Sequence, residues 1–284
     1  MAGPPAREET TAVAKPLVVG VDGSEASLDA VDWAADEAVR HRLPLRLVHV
    51  AAEEQDVPEP LGTAMERAGR HARAAPVSRE VLRGDPATAL TGAGRDAFAL
   101  VLGSRGLGDW EGMLLGSVGL AVAARADCPV VVVRGGAGHR GSGSGGVVVG
   151  VEAGQGSGTA VAFAFREAQV RHSGLVAVHA WTAPRDAHTT AQAPSWPLEA
   201  HRRAPAQVLD DALREMTERY PDVPVTRRVT EGPARRELLD AASGADLLVV
   251  GAPRRHTHPG LQLGLISHAM LHHAPCPVAV VPRA

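Results

Sequence analysis

Aromatic side chains make up only 3% of this 284-residue sequence. Whatever core the chain builds must therefore be aliphatic, made of Val, Leu and Ala. Cysteine occurs twice, at Cys128 and Cys276, with no metal-ligand spacing and no disulfide framework. No apolar run approaches the ~20 residues that a membrane helix needs, so a membrane is not an expected partner. The net charge is only −3, which removes the electrostatic case for nucleic acid as a partner. Residues 1–14 include Pro4, Pro5, Arg7, Glu8 and Glu9 but no apolar centre. They read as a disordered tail rather than a secretory signal, and the expected compartment is a reducing cytoplasm. A Walker A lysine is missing too, since no Gly-Lys-Ser/Thr follows either of the glycine loops below. No catalytic triad, metal set or paired carboxylates emerge.

What is present is an ordinary globular composition, 45% hydrophobic and 21% charged, on a chain long enough for two domains. The sequence repeats itself. Leu17-Val18-Val19-Gly20-Val21-Asp22 recurs 130 residues on as Val147-Val148-Val149-Gly150-Val151-Glu152, and His49 recurs as His179 at the same offset. Leu100-Val101-Leu102-Gly103 recurs 148 residues on as Leu248-Val249-Val250-Gly251, and Cys128-Pro129-Val130 as Cys276-Pro277-Val278. The second copy therefore carries an insertion after its second strand. Residues 182–206, rich in Ala, Pro and His, read as that loop. The Gly/Ser-rich stretch 135–146 behaves as a flexible linker. It separates a first domain, 15–134, from a second, 147–284.

Each copy alternates strands and helices. In the first, 16–21, 45–50, 77–82, 98–103 and 129–133 are short Val-rich runs that suit strands buried on both faces. Helices are expected after Ser24, over 61–75, after an Asp85 cap with Pro86 in the first turn, and over 116–126. Such alternation predicts an α/β fold with two tandem open parallel five-stranded sheets, helices covering both faces. Ligands of such sheets bind beyond the carboxyl ends of the strands, where the strand order reverses.

After the fourth strand comes Gly103-Ser104-Arg105-Gly106, then nine residues, then Gly116-Ser117. Gly103 allows a sharp turn, and Gly106 lets backbone approach a ligand. Gly116 and Ser117 open a helix whose first N–H groups and dipole favour an anion. Arg105 adds a fixed positive charge. The ensemble is a phosphate cradle without a lysine. Asp109 and Glu111 in the intervening loop would repel phosphates unless they point outward or hold a divalent ion. Trp110 either lids the site or anchors the loop.

Gly-x-x-Gly-x9-Gly-Ser after a strand, with Val21-Asp22-Gly23-Ser24 at the first strand, resembles the universal stress protein family, here as a tandem member. The resemblance implies the family's adenine nucleotide alpha hydrolase-like fold and ATP as ligand, with or without Mg2+. It implies Asp22 at the nucleotide, the Val50 backbone beside adenine, and Gly103, Gly106, Gly116 and Ser117 around ribose and phosphates. Gly20, Val21 and Val118 would complete the wall. A second hydroxyl common in binders is replaced by Gly119. In the family the last strand often forms a dimer seam. The two copies here could supply it to each other as a pseudo-dimer within one chain, with a further homodimer left open.

In the second copy Glu152, Arg254 and Leu265 replace Asp22, Gly106 and Ser117, so weak or no ATP binding is expected there. Gly154-Gln155-Gly156-Ser157-Gly158 superficially suggests a dinucleotide loop but lacks the full pattern. His49 and His179 read as core residues. His268 and His272, with His256, His258 and His273 nearby, have zinc-compatible spacing but read better as a solvated helix face. The cysteines and Trp33 read as packing. The function expected is a stress-response or regulatory ATP-binding protein, not an enzyme, that meets an unidentified protein partner. The alternatives are a slow ATPase or autophosphorylating enzyme with Ser104 or Ser117 as acceptor, and a nucleotide-free scaffold.

Overall fold

The computed structural model describes residues 14–51, 59–106, 115–134, 145–154, 157–182, 198–252 and 263–283. The first copy runs β1 (Leu17–Gly20), α1 (Glu25–His41), β2 (Leu45–Ala51), α2 (Glu59–His71), β3 (Val77–Arg83), α3 (Pro86–Ala93), β4 (Ala99–Gly103), α4 (Ser117–Arg125) and β5 (Val130–Val133). The second runs β6 (Val147–Gly150), α5 (Gly158–Val170), β7 (Leu175–Trp181), α6 (Leu198–Arg219), β8 (Val225–Glu231), α7 (Ala234–Ala242), β9 (Leu247–Ala252), α8 (Leu265–His273) and β10 (Val278–Pro282). Every expected strand of the first copy is present. The helix expected over 61–75 begins and ends a few residues earlier, as α2.

Within each copy all pairings are parallel, and β1 lies between β2 and β4 as β6 lies between β7 and β9. The two sheets meet edge to edge. β5 pairs antiparallel with β10, with Val131 opposite Ala279, and one ten-stranded sheet results in the order β3-β2-β1-β4-β5-β10-β9-β6-β7-β8. An edge strand exposes unpaired N–H and C=O groups; here each copy's last strand supplies partners for the other's.

The short Val-rich strands alternate their side chains between two aliphatic layers. Val19, Leu47 and Val101 face α1 and α2, whereas Val18, Val48 and Leu100 face α3 and α4. Phe165 and Leu213 extend the first layer into the second copy, Leu248 and Met270 the second layer. Each fully buried Val or Leu contributes about 1.5–3 kcal/mol, so a core poor in aromatics suffices.

One sequence expectation is overturned. Residues 182–206 do not all form a loop, because α6 starts at Leu198 and contains Pro205. An interior proline costs about 3 kcal/mol. The stripe Leu209, Leu213 and Met216, at helical spacing and buried, anchors the helix in spite of it. Residues 183–197 lie outside the described residues, as do most of the 1–14 tail and of the 135–146 linker.

Candidate functional site

The switch point of the first copy lies where β1 and β4 run parallel and their following loops diverge. A cleft of about 290 Å³ opens there. All ten residues singled out from sequence line it: Gly20, Val21, Asp22, Val50, Gly103, Arg105, Gly106, Gly116, Ser117 and Val118. Ser27, Val48, His49, Pro86, Leu90, Leu102 and Gly119 complete the lining. The sequence already marked Gly119 as a missing hydroxyl, His49 as core and Pro86 as a helix start, whereas Ser27, Val48, Leu90 and Leu102 were passed over because they belong to strand interiors or to α1 and α3. The strand-end rule, applied to β2, β4 and the helices that follow the strands, would have found them.

The first wall is built by the turn between β1 and α1. Gly23 adopts φ 93°, a left-handed conformation that a Cβ would oppose. The turn brings Ser24 back to Asp22, whose Oδ1 accepts from Ser24 N–H at 2.9 Å and from Ser24 Oγ at 2.6 Å. Ser24 Oγ in turn accepts from Ser27 N–H at the start of α1. It also lies 3.3 Å from the Arg105 carbonyl, which ties the β1 turn to the glycine loop.

The second wall is the end of β4 and the start of α4. Gly116 N–H donates to the Ser104 carbonyl at 2.9 Å, and Ser104 N–H to the Val133 carbonyl at 3.0 Å. This closes the loop on the sheet. Gly116 is the N-cap of α4 and makes no side-chain cap bond, so the helix opens onto the cleft uncapped and with its positive dipole end forward. Ser117 and Arg105 are exposed there, whereas Ser104 is buried.

Two glycines have a packing reason as well. A Cβ on Gly103 would come within 2.5–2.7 Å of backbone atoms of Ala26 and Ser27, and one on Gly20 within 2.6 Å of Leu102. Gly103 thus lets the start of α1 sit directly on the end of β4. Asp109, Trp110, Glu111, Gln155, Gly156, Arg254, His256 and His258 lie outside the described residues, so the readings made of them do too.

The second copy keeps a cleft at the equivalent place, about 530 Å³, lined among others by Gly150, Val151, Glu152, Ala180, Gly251, Gly264 and Leu265. Here the Glu152 carboxylate pairs with Arg283. Ser267, at the position of Gly119, is buried and donates to the Gly251 carbonyl at 2.9 Å. Ser157 exchanges hydrogen bonds with the Glu152 backbone at 2.9 and 3.1 Å.

The remaining candidates fall out simply. His49 and His179 donate through Nδ1 to the Val21 and Val151 carbonyls, at 2.7 and 2.8 Å. The His268 and His272 rings stand 4.5 Å apart, with no third ligand gathered beside them among the described residues. Burial pushes the Cys128 thiol up to about 11 and that of Cys276 to about 12, which makes both inert packing residues.

A buried carboxylate pair does emerge, contrary to the sequence reading. Glu37 on α1 and Glu167 on α5 face each other across the two copies, both about 2% exposed. Arg171 Nη2 lies 2.7 Å from Glu37, and His41 Nε2 lies 3.0 Å from Glu167. Glu37 also pairs with Arg40. Burial pushes the Glu37 carboxyl up, against the charge of Arg171. The ligand atoms of Glu37, His41 and Glu167 lie within 4.8 Å of one another, but the Arg171 guanidinium already supplies a cation there. Glu37/Glu167 and His41/Arg171 share the repeat's 130-residue offset. That was the available signal, hidden because each residue alone reads as a solvated helix position.

Fold and clefts together define a two-copy α/β protein with a ligand-sized opening at the switch point of each half. Comparison with known proteins gives the family. The universal stress protein family model matches residues 14–134 and again 145–282. The chain belongs to the universal stress protein family, as a tandem-domain member. Universal stress protein Rv2005c of Mycobacterium tuberculosis is 34% identical, over 94% of this chain and 97% of its own. Universal stress protein Rv2623 of the same species is 33% identical, over 93% and 95%. Among solved structures, a universal stress protein from Archaeoglobus fulgidus superposes with a TM-score of 0.67 at 17% identity, covering 95% of this chain and 98% of its own, a likeness of fold. A universal stress protein solved in complex with cAMP is 33% identical over 43% of this chain and 98% of its own, with a TM-score of 0.38.

Proposed function

We propose that this protein is a nucleotide-dependent regulator whose first half binds ATP, with or without Mg2+, in the cleft between the β1 turn and α4. The observation that carries the reading is the convergence of Asp22, Val50, Gly106, Gly116 and Ser117, far apart in sequence, on one opening. The uncapped start of α4 and the Arg105 side chain supply N–H groups and charge for phosphates. The apolar floor of Val48, Val50, Leu90 and Leu102 suits a flat base. ATP held between Asp22 on one wall and α4 on the other would brace the first half and stabilise it by mass action, about 2.7 kcal/mol at a hundredfold excess over Kd.

In this reading the protein performs no turnover. It works in the cytoplasm, its two halves act as an internal pseudo-dimer, and a protein partner reads the nucleotide-bound form. Ser117, exposed at the start of α4, is the better placed acceptor if the protein instead phosphorylates itself; Ser104 is buried. Calorimetric titration with ATP, AMP and cAMP tests the proposal. Saturable ATP binding that is lost in Gly106→Arg and weakened in Asp22→Glu supports it. Absence of binding by the wild-type chain at millimolar ATP refutes it.

A further inference from the structure

The second cleft has not simply decayed. Matched through the two repeat offsets, its floor is built from smaller side chains than the first: Ala180 for Val50, Val250 for Leu102 and Ala234 for Pro86. The opening is correspondingly larger, about 530 against 290 Å³. The same loosening appears at the strand-end glycine. A Cβ on Gly150 would meet its nearest neighbour, Leu238, at 3.2 Å, whereas one on Gly20 would meet Leu102 at 2.6 Å.

The rim changes in the other direction. Trp181 stands where the first half has Ala51, and Leu265 where it has Ser117. Leu265 is 83% exposed, by far the most exposed large apolar side chain among the described residues. Little of the described chain covers this isobutyl group at the mouth of the cleft. Most of the described polar groups are engaged within the chain, although Arg283 Nε is buried without a hydrogen-bond partner. Glu152 is neutralised by Arg283, and the Ser267 hydroxyl is given to the Gly251 carbonyl. Among the described lining residues the result is a widened floor, Trp181 and Leu265 at the rim, and one acidic and one basic side chain, Glu152 and Arg283, that offset each other.

We propose that the second cleft is a separate binding site for an uncharged, largely apolar small molecule carrying an aromatic ring, which lies against Trp181 and is covered at its outer edge by Leu265. Its volume falls within the range of small-molecule sites, which are mostly apolar with a few polar groups. The site does not depend on nucleotide binding in the first half.

The uncharged fluorescent probe N-phenyl-1-naphthylamine, titrated into the full-length chain, tests this. One saturable site per chain is expected, undisturbed by excess ATP and retained when Gly106→Arg blocks the first cleft. Ala180→Leu fills the floor with apolar volume and should weaken the probe at least about tenfold. Leu265→Ser changes only an exposed side chain, leaves folding intact and should weaken the probe in the same direction. No saturable binding, wild-type affinity in both the Ala180→Leu and Leu265→Ser chains, or displacement of the probe by ATP in the Gly106→Arg chain would overturn the proposal. ATP binding to the first cleft is read in a separate titration, so either result can fail without the other.

Discussion

Gly103 shows how one residue serves fold and site together. It ends β4, opens the glycine loop and takes the backbone of Ala26 against its bare Cα. A methyl group there has no flexible side chain to push aside, so Gly103→Ala should cost at least about 1–3 kcal/mol of overpacking, read as a lower urea midpoint. The cysteines give a second prediction at this scale. With the Cys128 and Cys276 thiols at about 11 and about 12, iodoacetamide at pH 8 should leave the native chain unmodified and label both residues in urea. Asp85 supplies the pH-dependent case. Its carboxylate accepts from Thr88 N–H and Oγ and is held below the ordinary carboxylate value. Its contribution to α3 is therefore present above that value and lost as pH falls through the lowered one. Asp85→Asn should remove that part of the acid sensitivity, measured as the urea midpoint from pH 6 down to pH 3. Of the ten residues that line the first cleft, Gly103, Arg105, Gly106, Gly116 and Ser117 were legible at this scale from glycine spacing and a helix start, whereas Gly20, Val21, Asp22, Val50 and Val118 came only with the family resemblance. The remaining apolar lining was not legible, since Leu90 or Val48 looks the same in a core as in a cleft floor.

Among elements, the start of α1 links the fold to the proposed site most directly. Ser24 caps the helix through Ser27 N–H, donates to Asp22 and approaches the Arg105 carbonyl. Ser24→Ala should cost about 1 kcal/mol of stability through the lost cap. By removing the hydroxyl bond to Asp22 and the approach to the Arg105 carbonyl it should also weaken ATP binding, so both are read on the same variant. At the other ends of α1 and α5, Glu37, His41, Glu167 and Arg171 close the contact between the copies. Arg171→Ala leaves two buried carboxylates short of a cation and should cost about 3–5 kcal/mol, far more than an exposed ion pair such as Arg214–Asp211. Strands and most helices were readable from hydrophobic runs and caps. The start of α6 was not, because Pro205 and its neighbours carry a loop's composition while the burial of Leu209 and Leu213 decides in favour of helix. The carboxylate pair was not readable either, since it exists only once two distant helices meet.

For the whole molecule, duplication fixes the architecture and divergence sets the two halves apart. The strand registers, the histidine-to-carbonyl bonds and the buried cysteines repeat in both copies. What differs is concentrated at the cleft rims, where Asp22 and Ser117 become Glu152 and Leu265. On this account the protein has a single ATP site, in its first half. The direct measurement is the stoichiometry of radiolabelled ATP bound per chain at saturation, in the wild type and in Gly106→Arg. The account predicts one ATP per chain in the wild type and none in the variant. Two ATP per chain, or one that survives Gly106→Arg, would contradict it.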